Sequence, residues 1–115
     1  MTITRKVPAG GRVTASSGNV FADLGLPEPE ERLAKAELVR AIRRIVLARR
    51  LTQREVGRLF GIAQPDVSDL IRGKLARFSR ERIERFLLAL DMDVQIRVVP
   101  KPKGRVRGRL TVEVG

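Results

Sequence analysis

Residues 64–74, QPDVSDLIRGK, bring several kinds of hydrogen-bonding side chain into one short window: the amide of Gln64, the carboxylates of Asp66 and Asp69 and the hydroxyl of Ser68, with Arg72 and Lys74 at its end. At helical spacing Val67, Leu70 and Ile71 turn to one side, which leaves Gln64, Pro65, Asp66, Ser68 and Asp69 on the other. The chemistry of such a face is recognition. An amide donates and accepts at once, an ionised carboxylate only accepts, and a proline ring offers apolar surface. Arg77 and Arg80 extend the basic group that starts at Arg72.

Bond-breaking chemistry is poorly supplied. The 115 residues include no His and no Cys, which removes the commonest general base, thiolate nucleophiles, disulfides and most zinc sites. With no Gly-rich phosphate loop, no metal-ligand spacing and no paired acid–base set, the chain is not expected to be an enzyme, and no catalytic residue, metal or cofactor is assigned.

The charge points to a partner. Lys and Arg number 24 against 13 Asp and Glu, a formal net charge of +11 that attracts polyanions over a Debye length or so. Without Trp or Tyr, and with only four Phe, stacking on unpaired bases is weakly provided for, so duplex DNA fits better than a single strand. An anionic membrane is the competing polyanion. No apolar run approaches the roughly 18 residues of a spanning helix and the N-terminus has no signal-like apolar stretch, so we expect no membrane partner and a cytoplasmic location.

The surrounding elements must position the recognition face. Length and 43% hydrophobic content suit one core. Residues 1–19 are rich in Gly, Ser and Thr without a sustained period and are expected to form a flexible arm. The apolar island VFADLGL, residues 20–26, either docks on the core or engages a partner through Val20, Phe21 and Leu24. From Glu28 to Leu51 a helical period runs through Leu38, Ala41, Ile42, Ile45 and Val46, with Glu31 and Lys35 spaced for an (i, i+4) ion pair. Arg49 and Arg50 suit its negative C-terminal end.

Thr52 and Glu55 then form a capping box, so a second helix over 53–60 begins at once, with Val56, Leu59 and Phe60 as its buried side. Gly61 and Gly73 stand where helices end in left-handed backbone, bracketing a third helix over 64–72. Ser79 caps a fourth over 80–90, with Ile83, Phe86, Leu87 and Leu90 inward. After Asp91 the period changes to two, with Val94, Ile96 and Val98 on one side. A second alternation runs from Val106 to Val114 after the break at 100–104. These spacings predict a strand or hairpin that pairs either with the helical core or with the same strand of a second subunit, and we favour the second subunit.

Two helices joined through Gly61–Ala63 constitute a helix-turn-helix, whose second helix enters the major groove of DNA. Gly57 is small where the third helix must come close. On this reading Gln64 can pair with adenine, Pro65 can touch a thymine methyl and Ser68 faces the groove. Asp66 more simply favours the helix N-terminus, and Asp69 is open between accepting from cytosine and a structural role. Gln53, Arg72, Lys74, Arg77 and Arg80 are candidates for phosphate contacts. The basic run from Arg97 to Arg109 serves equally as a second DNA-binding arm or as protection of an exposed strand edge.

LTQREVGRLFGIAQPDVSDLIRGK resembles the repressor-type helix-turn-helix of the XRE family at Leu51, Thr52, Gln53, Glu55, Gly61, Ile62, Gln64, Ser68, Arg72, Gly73 and Lys74. Over residues 16–102 the chain is similar to the antitoxin-like HigA branch, through SSGNVFADLGLP ahead of the first helix and MDVQIRVVPKP after the fourth. The resemblance implies a dimeric repressor acting on a palindromic operator, often encoded beside a RelE/HigB-like toxin that it binds. Ala63 departs from the pattern, standing where the family usually has a capping Ser. Strands replace the fifth helix, and residues 103–115 lie beyond the resemblance. The expected fold is therefore mainly α: a four-helix repressor-type helix-turn-helix domain over 20–92 with C-terminal β-strands over 93–115 that dimerise through Val94, Ile96 and Val98.

Overall fold

The structure, a computed structural model, describes residues 28–115. Within them the chain forms α1 (Glu28–Ala48), α2 (Gln53–Phe60), α3 (Gln64–Ile71) and α4 (Arg80–Ala89). The arm at 1–19 and the island bearing Val20, Phe21 and Leu24 lie outside the described residues.

Helix α1 starts with Glu28, Glu30 and Glu31 in its first turn, where the positive end of the helix dipole favours carboxylates, and Pro29 is tolerated there because the first amides have no intrahelical acceptor. Its buried stripe is Ala34, Leu38, Val39, Ala41 and Ile42, at spacings of one, three and four. Four of these residues, Leu38 to Ile42, join Leu70, Phe78, Ile83, Phe86, Leu87 and Leu90 in the core. An aromatic row runs through it. Phe60 stacks on Phe86 with ring centroids 4.4 Å apart, and Phe78 meets Phe86 edge-on at 6.1 Å.

All four helices end in the same way. Leu51 N–H reaches back to the Val46 carbonyl, Ile62 to Gly57, Lys74 to Asp69 and Met92 to Leu87, each a six-to-one hydrogen bond of the Schellman type. The residue before each is left-handed: Arg50 (φ 56°), Gly61 (φ 70°), Gly73 (φ 84°) and Asp91 (φ 64°). Two of these positions carry glycine as expected. Arg50 and Asp91 hold the same backbone with a side chain attached, and so stop α1 at Ala48, short of the expected Leu51, and α4 at Ala89.

Three further expectations need correction. Leu59 is 48% exposed, because α2 has only two turns and its inward arc is filled by Val56, Gly57 and Phe60. The Glu31–Lys35 pair gives way to longer-range partners: Glu31 accepts from Arg80 at 3.2 Å, and Lys35 donates to the Leu75 carbonyl at 3.3 Å.

The C-terminal β-strands do not form among the described residues; only Arg97 has isolated bridge geometry. Alternation predicts which side chains face inward, and Val94 and Val112 do pack against the helical core. A strand also needs a neighbouring backbone to complete its ladder, and the alternation does not supply one. Side chains hold the segment instead. Glu30 accepts from Arg107 at 2.5 Å and from the Leu110 backbone N–H, and Val114 lies over α1 beside Glu37, Arg40, Ala41 and Arg44.

Candidate nucleic-acid interface

The α2–turn–α3 unit is locked by short-range chemistry. Thr52 Oγ1 accepts from the Glu55 amide at 3.1 Å while Glu55 Oε1 accepts from the Thr52 amide at 2.8 Å, which satisfies two donors at the start of α2. Gly61 turns the chain, and Ile62 re-enters the packed interior. Ala63 has the extended N-cap backbone (φ −72°, ψ 153°) without a side-chain cap, and Pro65 is accommodated in the first turn of α3. At Gly57 an added Cβ would lie 2.9 Å from the Ile62 carbonyl oxygen and 3.5 Å from Val67 Cγ2, so the close approach expected there involves both the turn and α3.

From outside the motif, cations in and just after α1 cap the ends of α3 and α4. Arg43 donates to the Ile71 carbonyl at 3.0 Å, and Arg49 donates to the Leu90 carbonyl at the end of α4 at 2.9 Å. Cationic donors suit helix C-termini, where carbonyls lack intrahelical partners. Arg49 thus serves another helix rather than its own.

The five candidate base-reading residues separate into two groups. Gln64 and Pro65 are exposed at the amino end of α3, while Asp66, Ser68 and Asp69 are partly covered. Val67 and Leu70 are fully buried beneath them. Asp66 Oδ1 and Asp69 Oδ2 both accept from the same nitrogen, Nη2 of Arg77, at 3.0 and 2.6 Å. These hydrogen bonds, donated to Asp66 first and then to Asp69 in order of effect, hold the Arg77 guanidinium above its ordinary pKa. Its guanidinium also lies 5.5 Å from the centre of the Phe78 ring.

The candidate phosphate-binding residues separate as well. Gln53, Arg72 and Lys74 are exposed at the starts and ends of the two helices, and Arg72 and Lys74 form no ion pair among the described residues. Arg80 instead faces α1 and α4, with Nε 3.2 Å from Glu31 and Nη1 3.7 Å from Glu84. Arg54 and Arg58 were not singled out from the sequence, yet both are exposed cations on α2 without an ion-pair partner among the described residues. Their spacing of four, off the Val56–Gly57–Phe60 face, was the available signal.

Among the described residues no helix is long and apolar enough to cross a membrane. This arrangement of a capped short helix, a three-residue glycine turn and a second helix with an exposed amino end is a helix-turn-helix domain, and a family model of that description matches residues 20–99. A solved structure described as an XRE family transcriptional regulator is 39% identical, with a TM-score of 0.72 over 77% of this chain and 100% of that chain. The chain belongs to the XRE helix-turn-helix family. No curated protein matches it.

Proposed function

We propose that this chain is a sequence-specific DNA-binding transcriptional repressor that works as a homodimer on a palindromic operator. It acts in the cytoplasm by binding, without catalysis or cofactor. The observation that carries this reading is the exposed amino end of α3, with Gln64 and Pro65 outward, in a motif whose cations Arg54, Arg58, Arg72 and Lys74 form no ion pair among the described residues. The similar solved structure described as a transcriptional regulator supports it.

In this mechanism α3 lies in the major groove. The Gln64 amide pairs with adenine N6 and N7, Pro65 contacts a thymine methyl, and Ser68 bonds a base edge deeper in the groove. Gln53, Arg72 and Lys74, joined by Arg54 and Arg58, bind phosphates and set the register. Two copies place their α3 helices roughly 34 Å apart in successive grooves. Ile96 and Val98 are assigned to the dimer contact, whereas Val94, expected there too, packs on the core of its own chain. Val98 is 61% exposed in the single chain and so is free to meet a second copy.

The finer role, antitoxin of a RelE/HigB-like toxin with autoregulation of a shared operon, rests on the resemblance over residues 16–102. An adjacent toxin-like reading frame whose product co-purifies with this chain would support that role. A toxin that binds a variant lacking DNA affinity would make protein capture the primary task.

The test uses duplexes selected from a random-sequence pool. Gln64→Ala should weaken the selected duplex by about 1–3 kcal/mol at one base pair and leave random duplex almost unaffected. Equal weakening of both would remove Gln64 from the reading set.

A further inference from the structure

We propose that Arg77 is a positioning residue that masks the charge of Asp66 and Asp69, so that α3 can enter a groove walled by phosphates, and that it is not itself a phosphate contact. The proposal rests on the DNA-binding reading above and deepens it. Asp66, in the first turn beside the exposed Gln64 and Pro65, and Asp69 are three residues apart on one face of α3. Left alone, two carboxylates there would repel the backbone of any duplex that α3 approached.

Arg77 reaches them from the connection between α3 and α4, eleven residues beyond Asp66 and eight beyond Asp69. Both carboxylates accept from Nη2, so both protons of that amino group are committed to the protein. The guanidinium lies over the ring of Phe78, which is among the most buried side chains in the domain. Among the described residues Arg72 and Lys74 form no ion pair, which leaves their donors for phosphates. Asp66, Asp69 and Arg77 sum to a single negative charge where two would otherwise stand. The fork also ties the base of the α3–α4 connection to the reading face.

The proposal is tested by a cycle of variants read by fluorescence anisotropy on a selected duplex, across a salt series, with a thermal melt for each variant. Arg77→Met keeps an apolar stem over Phe78 and removes the charge. It should weaken binding about tenfold or more in the parent chain, but by less than about threefold when combined with Asp66→Asn and Asp69→Asn. The salt slope should be the same for the Asn pair with and without Arg77. A phosphate contact behaves otherwise: the loss would persist in the Asn background and the slope would fall by about 0.9. That result would overturn the proposal, as would a loss of discrimination at one base pair on Asp69→Asn alone, since Asp69 would then be reading a base. If the Met variant fails to fold, Arg77→Gln, which also removes the charge and keeps part of the stem over Phe78, gives the same comparison. If the unaltered chain binds no duplex at all, the DNA-binding reading falls first and this proposal falls with it.

Discussion

Gly57 and Ile62 approach so closely that a Cβ on Gly57 would lie 2.9 Å from the Ile62 carbonyl oxygen, while the Ile62 amide donates to the Gly57 carbonyl at 3.0 Å. The contact is with backbone, which cannot swing aside as a flexible side chain could. Replacing glycine by alanine inside a helix ordinarily stabilises it by about 0.5–1 kcal/mol, whereas overpacking costs about 1–3 kcal/mol. Overpacking should win here. Gly57→Ala is expected to lower the melting temperature by several degrees and to open the angle between α2 and α3; a higher melting temperature would show that the turn yields without strain.

Ala63 offers the opposite change. It already has N-cap geometry and lacks only a side-chain acceptor for α3. Ala63→Ser should supply one and stabilise the domain by about 1 kcal/mol, visible as a rise in melting temperature. No rise would mean that the first amides of α3 are satisfied in another way.

Phe78 lies outside every helix, and only 1% of its surface is exposed. It touches Phe86 and lies beneath the guanidiniums of Arg77 and Arg82. Phe78→Ala should cost about 3–5 kcal/mol by chemical denaturation. A cost near that of a surface change would contradict its placement in the core.

Glu30 gives the C-terminal segment a pH dependence. The side-chain hydrogen bond from Arg107, followed by the backbone N–H of Leu110, holds its carboxyl below the ordinary value of 4.5. A lowered folded-state pKa means that this anchor contributes fully above the ordinary carboxylate range and is lost as pH falls through the folded value. An NMR titration should show the Glu30 carboxyl and the Leu110 amide shifting together in acid, below pH 4.5, with no change between pH 6 and 8. A Glu30 titrating above its ordinary value would contradict the contact.

What the sequence disclosed was mostly local. The Thr52–Glu55 box, the Ser79 cap, and Gly61 and Gly73 act within a few residues of themselves, so their types and spacing were enough to place α2, α3 and the start of α4. Arg50 and Asp91 adopt the same terminating backbone without the residue type that advertises it. Phe78 lies between helices, where no period marks burial, and only its aromatic type pointed to the core.

The partners of charged side chains were the least legible. Arg77, Arg80, Arg43 and Arg49 find theirs 8 to 49 positions away, so a basic cluster in sequence became helix caps, a carboxylate fork and only in part a free cationic surface. The period-two pattern of 94–98 carried no information about a strand partner, and Val94 packs on the core of its own chain.

The central claim is sequence-specific recognition through α3, and fluorescence anisotropy of the full chain tests it most directly. The duplexes compared are the DNA upstream of its own coding region and a scrambled duplex, across a salt series. Tight binding to the upstream duplex that persists at salt concentrations releasing the scrambled one is the expected result. Equal and equally salt-sensitive binding to both would contradict it, and would mean that the +11 charge alone is responsible for the affinity.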